Sequence, residues 1–231
     1  MKNKPILVDR GPALAQTGLV HRALRPDTAG PHPTAVLLHG YWGNEDAMWV
    51  FARTLPPHWL IVAPRGIAQE GDGRYSWQPR APQEWPTLEQ FDTAVSAITH
   101  FIHTLPALYN ADLRRIHMMG FSQGAAAALA TAVHQPGWIQ AVASLVGFMP
   151  APTQRTLSPN ILQDLSVFMA AGTRDERVPL AIAHASAQAV QAAGASLTYK
   201  EYDVGHKLNA QGMRDLKKWW GSLPANASLS T

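Results

Sequence analysis

The chain has 231 residues, 19 Lys+Arg against 16 Asp+Glu for a net charge of +3, a pI near 9.3, no cysteine and 46% apolar residues. Only 15% of residues are charged, against a globular average of about 25%, which fits a packed domain and excludes a disordered or fibrous chain. Without cysteine there is no disulfide framework, thiolate zinc site, iron–sulfur cluster or thiol nucleophile, so any chemistry rests on oxygen and nitrogen.

The basic residues are scattered. Their longest clusters are the pairs Arg114–Arg115 and Lys217–Lys218, not the basic run of a nucleic-acid footprint, and no nucleic-acid partner is expected. Behind Lys2 and Lys4, the apolar run Ile6-Leu7-Val8 stops at Asp9-Arg10, too short for a secretory segment, and nothing approaches the ~18 apolar residues of a membrane span. A soluble cytoplasmic protein with no membrane span is the expectation.

Residues 1–18 read as an irregular N-terminal segment, and Leu19–Leu24 as an antiparallel edge strand. Short apolar runs suited to buried strands follow at Ala35–Leu38, Leu60–Ala63, Ile116–Met119, Ala141–Leu145, Val167–Ala170 and Leu197–Tyr202. Helical patterns alternate with them. Weak ones cover Glu45–Thr54, Gly124–His134 and Gln211–Ser222. A strong one runs through Leu88, Phe91, Val95, Ile98, Ile102 and Leu105, with Thr87 and Gln90 as a capping box and Pro106 as its stop. Another runs from Pro179, placed at the first helical position, to Ala193, with Gly194 ending it. The alternation predicts one α/β domain over 1–231, a mostly parallel central sheet with helices on both faces. Ligands bind such sheets at the carboxyl ends of the strands, so a catalytic residue should directly follow a strand.

Gly120-Phe121-Ser122-Gln123-Gly124 is a Gly-x-Ser-x-Gly pentapeptide between the strand Ile116–Met119 and an alanine-rich helix. At this glycine and serine content, chance supplies about 0.06 such matches even before the strand–turn–helix context is required. The two glycines give room for a sharp turn that lifts the serine above the sheet. A serine hydroxyl needs a base and an orienting acid, which in this arrangement follow it along the chain as acid and then histidine. Asp164, Asp175, Glu176, Glu201 and Asp203 lie between Ser122 and His206. Asp164 precedes a strand, while Glu201 and Asp203 lie in or beside the last one. Asp175 stands just beyond a strand's carboxyl end and is favoured, with Glu176 its nearest rival. Of the histidines after Ser122, His134 and His184 fall in helical patterns, whereas His206 follows Gly205 after the last strand. Three candidates thus converge from three strand ends, an arrangement for nucleophilic hydrolysis.

A tetrahedral oxyanion also needs two fixed donors. The Gln123 amide is one candidate. Tyr41, in His39-Gly40-Tyr41-Trp42-Gly43 after the strand Ala35–Leu38, offers the other.

With these in place, the chain from about Leu19 onward resembles the phospholipase/carboxylesterase family of α/β-hydrolases, which includes acyl-protein thioesterases and small bacterial esterases. The resemblance is carried by Leu37-Leu38-His39-Gly40, Ala63-Pro64-Arg65-Gly66, the pentapeptide at Ser122, Gly172-Thr173-Arg174-Asp175 and Gly205-His206. It implies the α/β-hydrolase fold, Ser122 as nucleophile, Asp175 and His206 as its partners, oxyanion amides at Tyr41 and Gln123, and no cofactor or metal. Trp77 is similar to an aromatic near the family's acyl pocket, and Trp42, Phe148 and Met149 are expected to join it there. Two departures stand out: Tyr41-Trp42 where the family often has Leu-Gly, and Val146 where a serine is common. Residues 146–166 leave no room for a lid domain, so an open cleft is expected. The loop 66–85, with Tyr75, Trp77 and Trp85, is expected to wall the acyl group.

His100 and His103 lie off the apolar stripe of their helix and are expected on a solvated face, not on a metal. Of the pair Trp219-Trp220, one is expected buried and one partly exposed. The expected activity is a serine carboxylesterase acting on a small-molecule ester of short to medium acyl chain, as a monomer or homodimer. The alternatives are lysophospholipase or acyl-protein thioesterase activity, and, from a different class, a non-catalytic ligand-binding protein on the same fold.

Overall fold

The computed structural model describes residues 4–79, 85–152 and 157–224. The expectations for the N-terminal segment, the loop 66–85 and the stretch 146–166 therefore lie partly outside the described residues. In chain order the elements are β1 (Ile6–Val8), α1 (Gly11–Thr17), β2 (His21–Leu24), β3 (His32–Leu38), α2 (Trp49–Ala52), β4 (Leu60–Pro64), β5 (Ala68–Gly71) and β6 (Arg74–Ser76). They continue with α3 (Asp92–Tyr109), β7 (Ala111–Phe121), α4 (Gln123–His134), β8 (Ile139–Leu145), β9 (Ser166–Gly172), α5 (Leu180–Ala192), β10 (Ser196–Tyr202) and α6 (Ala210–Ser222).

Eight strands form one sheet in the order β1-β2-β4-β3-β7-β8-β9-β10, and β5 and β6 form a separate hairpin. From β4 to β10 every pairing is parallel, while β2 joins β4 and β1 joins β2 in antiparallel fashion. The sheet is covered on both faces because its apolar runs carry no polar alternation. Successive residues serve opposite cores. Val36, Leu38, Leu60, Val62, Val167 and Met169 pack on one side with α3, α4 and α5. Ala35, Leu37, Ile61, Ala63, Phe168 and Ala170 pack on the other with Met48, Phe51, Trp59 and the α6 tryptophans. This is the expected α/β-hydrolase architecture, and among the described residues no helix lies between β8 and β9.

Several boundaries differ from the sequence reading. The segment before residue 19 is regular where described, forming β1 and α1, so β2 is interior and β1 takes the edge. Only Trp49–Ala52 is helical in the stretch 45–54, because Asn44 turns the chain by accepting the Asp46 amide and Glu45 is drawn to Arg65 at 2.6 Å. The Gln90 side chain does accept the Thr87 amide at 2.8 Å. A 3₁₀ turn at Glu89–Phe91 then leads into α3, which passes through Pro106 to a left-handed cap at Asn110. Proline removes its own donor and crowds the carbonyl one turn back, a cost that α3 carries in its last turn, where Leu105 and Tyr109 are buried. Pro179 is the cap of α5, one residue outside the helix and not its first residue. Trp219 and Trp220 are both buried.

Candidate active site

The turn from β7 into α4 is tight. A Cβ on Gly124 would stand 2.2 Å from the Leu38 carbonyl oxygen, and one on Gly120 would stand 2.2 Å from that of Gly124. Only bare backbone fits, so strand and helix meet closely. Ser122 between them takes φ +54° and ψ −117°, a conformation most residues avoid. Its amide is held by the Leu145 carbonyl at 2.9 Å. Ser122 caps α4, and the Gln123 amide is the first of that helix, where no intrahelical acceptor exists.

On the outer half of the sheet, the β9–β10 ladder continues past the strands. The Thr173 amide donates to Tyr202 at 2.9 Å and the Arg174 amide to Val204 at 3.0 Å. That extension carries Asp175 alongside His206. Nδ1 of His206 donates to Oδ2 of Asp175 at 2.8 Å, and Oδ1 of the same carboxylate accepts the amides of Arg177 at 2.9 Å and Val178 at 3.0 Å. A carboxylate only accepts, so this bond places a proton on Nδ1 and turns Nε2 away from Asp175. The Asp175 side chain is almost fully enclosed, and the His206 ring packs edge-on against Phe121, centroids 5.1 Å apart. Of the two rival acids, Asp175 is the one bonded to His206; Glu176 lies on the cleft wall.

The loop after β3 closes the third side. A Cβ on Gly40 would touch Ser122 Cβ at 3.4 Å, so this loop abuts the serine. Gly43 donates to Gly40 at 3.0 Å, making a turn with Tyr41 and Trp42 at its centre. Trp42 has φ +64° and is 56% exposed, its ring stacked over Tyr41 at 6.2 Å. His39, fully buried beneath, donates from Nδ1 to Gly40 at 2.8 Å and accepts the Gly66 amide on Nε2 at 2.8 Å. Burial lowers its pKa to about 4, so it stays neutral.

Ser122, Gln123, His206, Tyr41, Trp42 and Phe148 line one cleft of about 830 Å³, together with Gly40, Trp85, Pro86, Phe121, Glu176, Arg177 and Val178. A second cavity of about 450 Å³ adjoins it through Trp85, Pro86 and Phe148, and its wall adds Met149, Leu157, Ile182 and Ala189. Met149 thus faces the second cavity and not the cleft. The expectation for Trp77 is corrected: its side chain has no exposed surface and lines neither cavity, because its indole Nε1 donates inward to the His39 carbonyl at 2.8 Å. Sequence reasoning also missed Ile182 and Ala189 as cavity walls. A small-residue helix such as α5 carries no pattern that marks a cavity face. Among the described residues no group of three or more His, Cys, Asp or Glu is placed to hold a metal ion. His100 bonds the Gln16 carbonyl and His103 stacks on Trp138. No helix among the described residues is long and apolar enough to cross a membrane.

Solved structures share this architecture. The carboxylesterase of Bacillus cereus superposes with a TM-score of 0.80 at 22% identity, over 90% of this chain and 96% of that one. A carboxylesterase from Mesorhizobium loti gives 0.79 at 19% identity, over 95% and 99%. Acyl-protein thioesterase 2 of Zea mays gives 0.69 at 22%, over 87% and 97%. At these identities the likeness speaks for the fold. The family model described as phospholipase/carboxylesterase matches residues 22–221, a span from β2 to the end of α6 that takes in the serine turn, Asp175 and His206, and the chain belongs to that family of hydrolases.

Proposed function

We propose that the protein is a serine carboxylesterase that cleaves esters of short to medium acyl chains. The observation that carries this reading is the hydrogen bond from His206 to Asp175, beside a cleft that also contains Ser122. In this mechanism Ser122 Oγ attacks the ester carbonyl and His206 Nε2 takes its proton. Asp175 keeps the imidazole in the accepting tautomer and stabilises its charged form. The amides of Tyr41 and Gln123 receive the oxyanion. Collapse expels the alcohol with the proton held by His206. Water then gives a proton to His206 and attacks the acyl-enzyme, and the carboxylic acid leaves as the proton returns to Ser122. The apolar cavity beside the cleft, walled by Phe148, Met149, Leu157 and Ile182, is where the acyl chain extends.

A series of p-nitrophenyl esters from acetyl to palmitoyl tests both halves of the reading. Turnover is expected to be best at short to medium chains, and Ser122→Ala to lose at least about 10³ in rate. A maximum at palmitoyl overturns the acyl assignment, and full activity in Ser122→Ala overturns the mechanism.

A further inference from the structure

The two candidate oxyanion amides reside on different loops. Tyr41 follows β3 and Gln123 opens α4, and both lie beyond the last rungs of the β3–β7 ladder, which ends at Leu38 and Gly120. Their spacing is therefore not set by the sheet alone. A single segment touches both. The Trp77 amide donates to Gln123 Oε1 at 2.9 Å, Gln123 Nε2 donates back to the Gln78 carbonyl at 2.6 Å, and Trp77 Nε1 donates to the His39 carbonyl at 2.8 Å. Trp77 thus bridges the two loops from beneath, its indole 5.2 Å from the His39 ring.

The hairpin that precedes it grips the Tyr41 loop from the other side. The Tyr75 amide donates to the Gly43 carbonyl at 2.9 Å, Arg74 to the Trp42 carbonyl at 3.3 Å, and Asn44 to the Gly73 carbonyl at 3.3 Å. Glu70 on β5 accepts the Tyr41 hydroxyl at 3.3 Å with one carboxylate oxygen and the Ser76 hydroxyl with the other. Its carboxylate thereby ties the Tyr41 side chain to the opposite strand of the hairpin.

We propose that the hairpin β5–β6 with the following Trp77-Gln78 forms a strut that sets the distance between the two oxyanion amides, and that Trp77 and Glu70 are positioning residues for the reaction. The proposal rests on the oxyanion roles of Tyr41 and Gln123. Its physical content is differential. The oxyanion exists only in the transition state and the tetrahedral intermediate, and its donors act only when fixed where that charge develops. Loosening the strut therefore weakens transition-state binding and leaves the ester's ground-state binding alone.

The test compares Trp77→Phe, Glu70→Ala and Glu70→Gln with the wild type, reading kcat and KM on p-nitrophenyl butyrate, the Ki of an aryl trifluoromethyl ketone, and Tm. Trp77→Phe keeps an aromatic ring in the buried site but removes the donor to His39 together with part of the indole's volume, a loss the Tm readout reports. It is expected to lower kcat about tenfold and raise Ki by a similar factor, with KM within about twofold. Glu70→Ala is expected to lower kcat about threefold to tenfold, and Glu70→Gln to recover most of that, because an amide oxygen still accepts from Tyr41. Should Trp77→Phe fail to fold, the half-buried Glu70 pair decides. Unchanged kcat and Ki in folded variants, a rise in KM at constant kcat, or equal damage from Ala and Gln at position 70 overturns the strut. Labelling of the wild type with a fluorophosphonate keeps the two levels apart: failure to label Ser122 removes the serine mechanism and the strut with it, whereas normal labelling with indifferent variants removes the strut alone.

Discussion

Asp175 holds His206 with one carboxylate oxygen and its own loop with the other: Oδ2 accepts the imidazole Nδ1, and Oδ1 accepts the amides of Arg177 and Val178. The proposed partner of His206 and the anchor of the 175–178 turn are thus one side chain. In Asp175→Asn the amide oxygen can keep the two backbone donors, which turns the NH₂ toward His206. The imidazole must then present its lone pair at Nδ1 and a proton at Nε2, the wrong tautomer for accepting from Ser122. A folded protein with kcat reduced about 10³–10⁴-fold is expected. Asp175→Ala additionally strips the two amides of their acceptor, at about 1–3 kcal/mol of stability. Circular dichroism and esterase rates on the two variants separate these effects, and an active Asn variant contradicts the role of Asp175.

Trp42 occupies the left-handed region at φ +64° on the lip of the cleft. A side chain there costs about 1–2 kcal/mol that glycine does not. Trp42→Gly and Trp42→Ala both lose the stack on Tyr41, yet only glycine sheds the backbone strain. The glycine variant is expected to be the more stable of the two by about 1 kcal/mol in urea denaturation, although glycine is ordinarily the less stable choice in an ordered position. An alanine variant of equal or greater stability contradicts the strain. In both variants KM for aryl esters should rise, since the exposed indole at the mouth is gone.

Ala189 lines the apolar cavity from α5, together with Ile182, Phe148 and Met149. Ala189→Phe fills part of the space assigned to the acyl chain. The ratio of octanoyl to acetyl p-nitrophenyl ester turnover is expected to fall at least about tenfold, because the longer chain meets the new ring directly. An unchanged ratio places the acyl chain elsewhere.

Acid should weaken the fold through two buried histidines. Burial lowers both His39 and His117 from 6.5 to about 4. His117 is stacked 4.0 Å from Trp59 inside the α6 side of the core. Between pH 6.5 and 4 the unfolded chain binds protons at these positions that the folded one refuses, so stability is full above about pH 6.5 and declines as pH falls toward 4. Each histidine accounts for about 3 kcal/mol over that window. Urea midpoints at a series of pH values should show the decline, and His117→Phe, which keeps an aromatic against Trp59, should make it shallower. An identical slope in that variant argues against His117 as a source.

The serine turn was legible because its glycines are demanded by contacts no side chain can survive: Gly124 against Leu38, and Gly120 against Gly124. Asp175 and His206 were legible because parallel strands put their following residues on one edge of the sheet. Trp77 was not. A loop tryptophan reads the same in sequence whether its indole faces a substrate or, as here, the His39 carbonyl. Pro106 was misread as a stop because its cost to a helix depends on tertiary packing, which Leu105 and Tyr109 supply from the buried face of α3. β1 was missed since three apolar residues carry no periodicity of their own.

The site is divided unevenly across the sheet. Ser122 and the loop bearing Tyr41 belong to adjacent strands, β7 and β3, near its middle, while Asp175 and His206 hang from β9 and β10 at one margin. Margins of a sheet open at lower free energy than its interior. Mild denaturant should therefore detach His206 before Ser122 loses its surroundings, and loss of turnover should precede the global loss of far-ultraviolet circular dichroism.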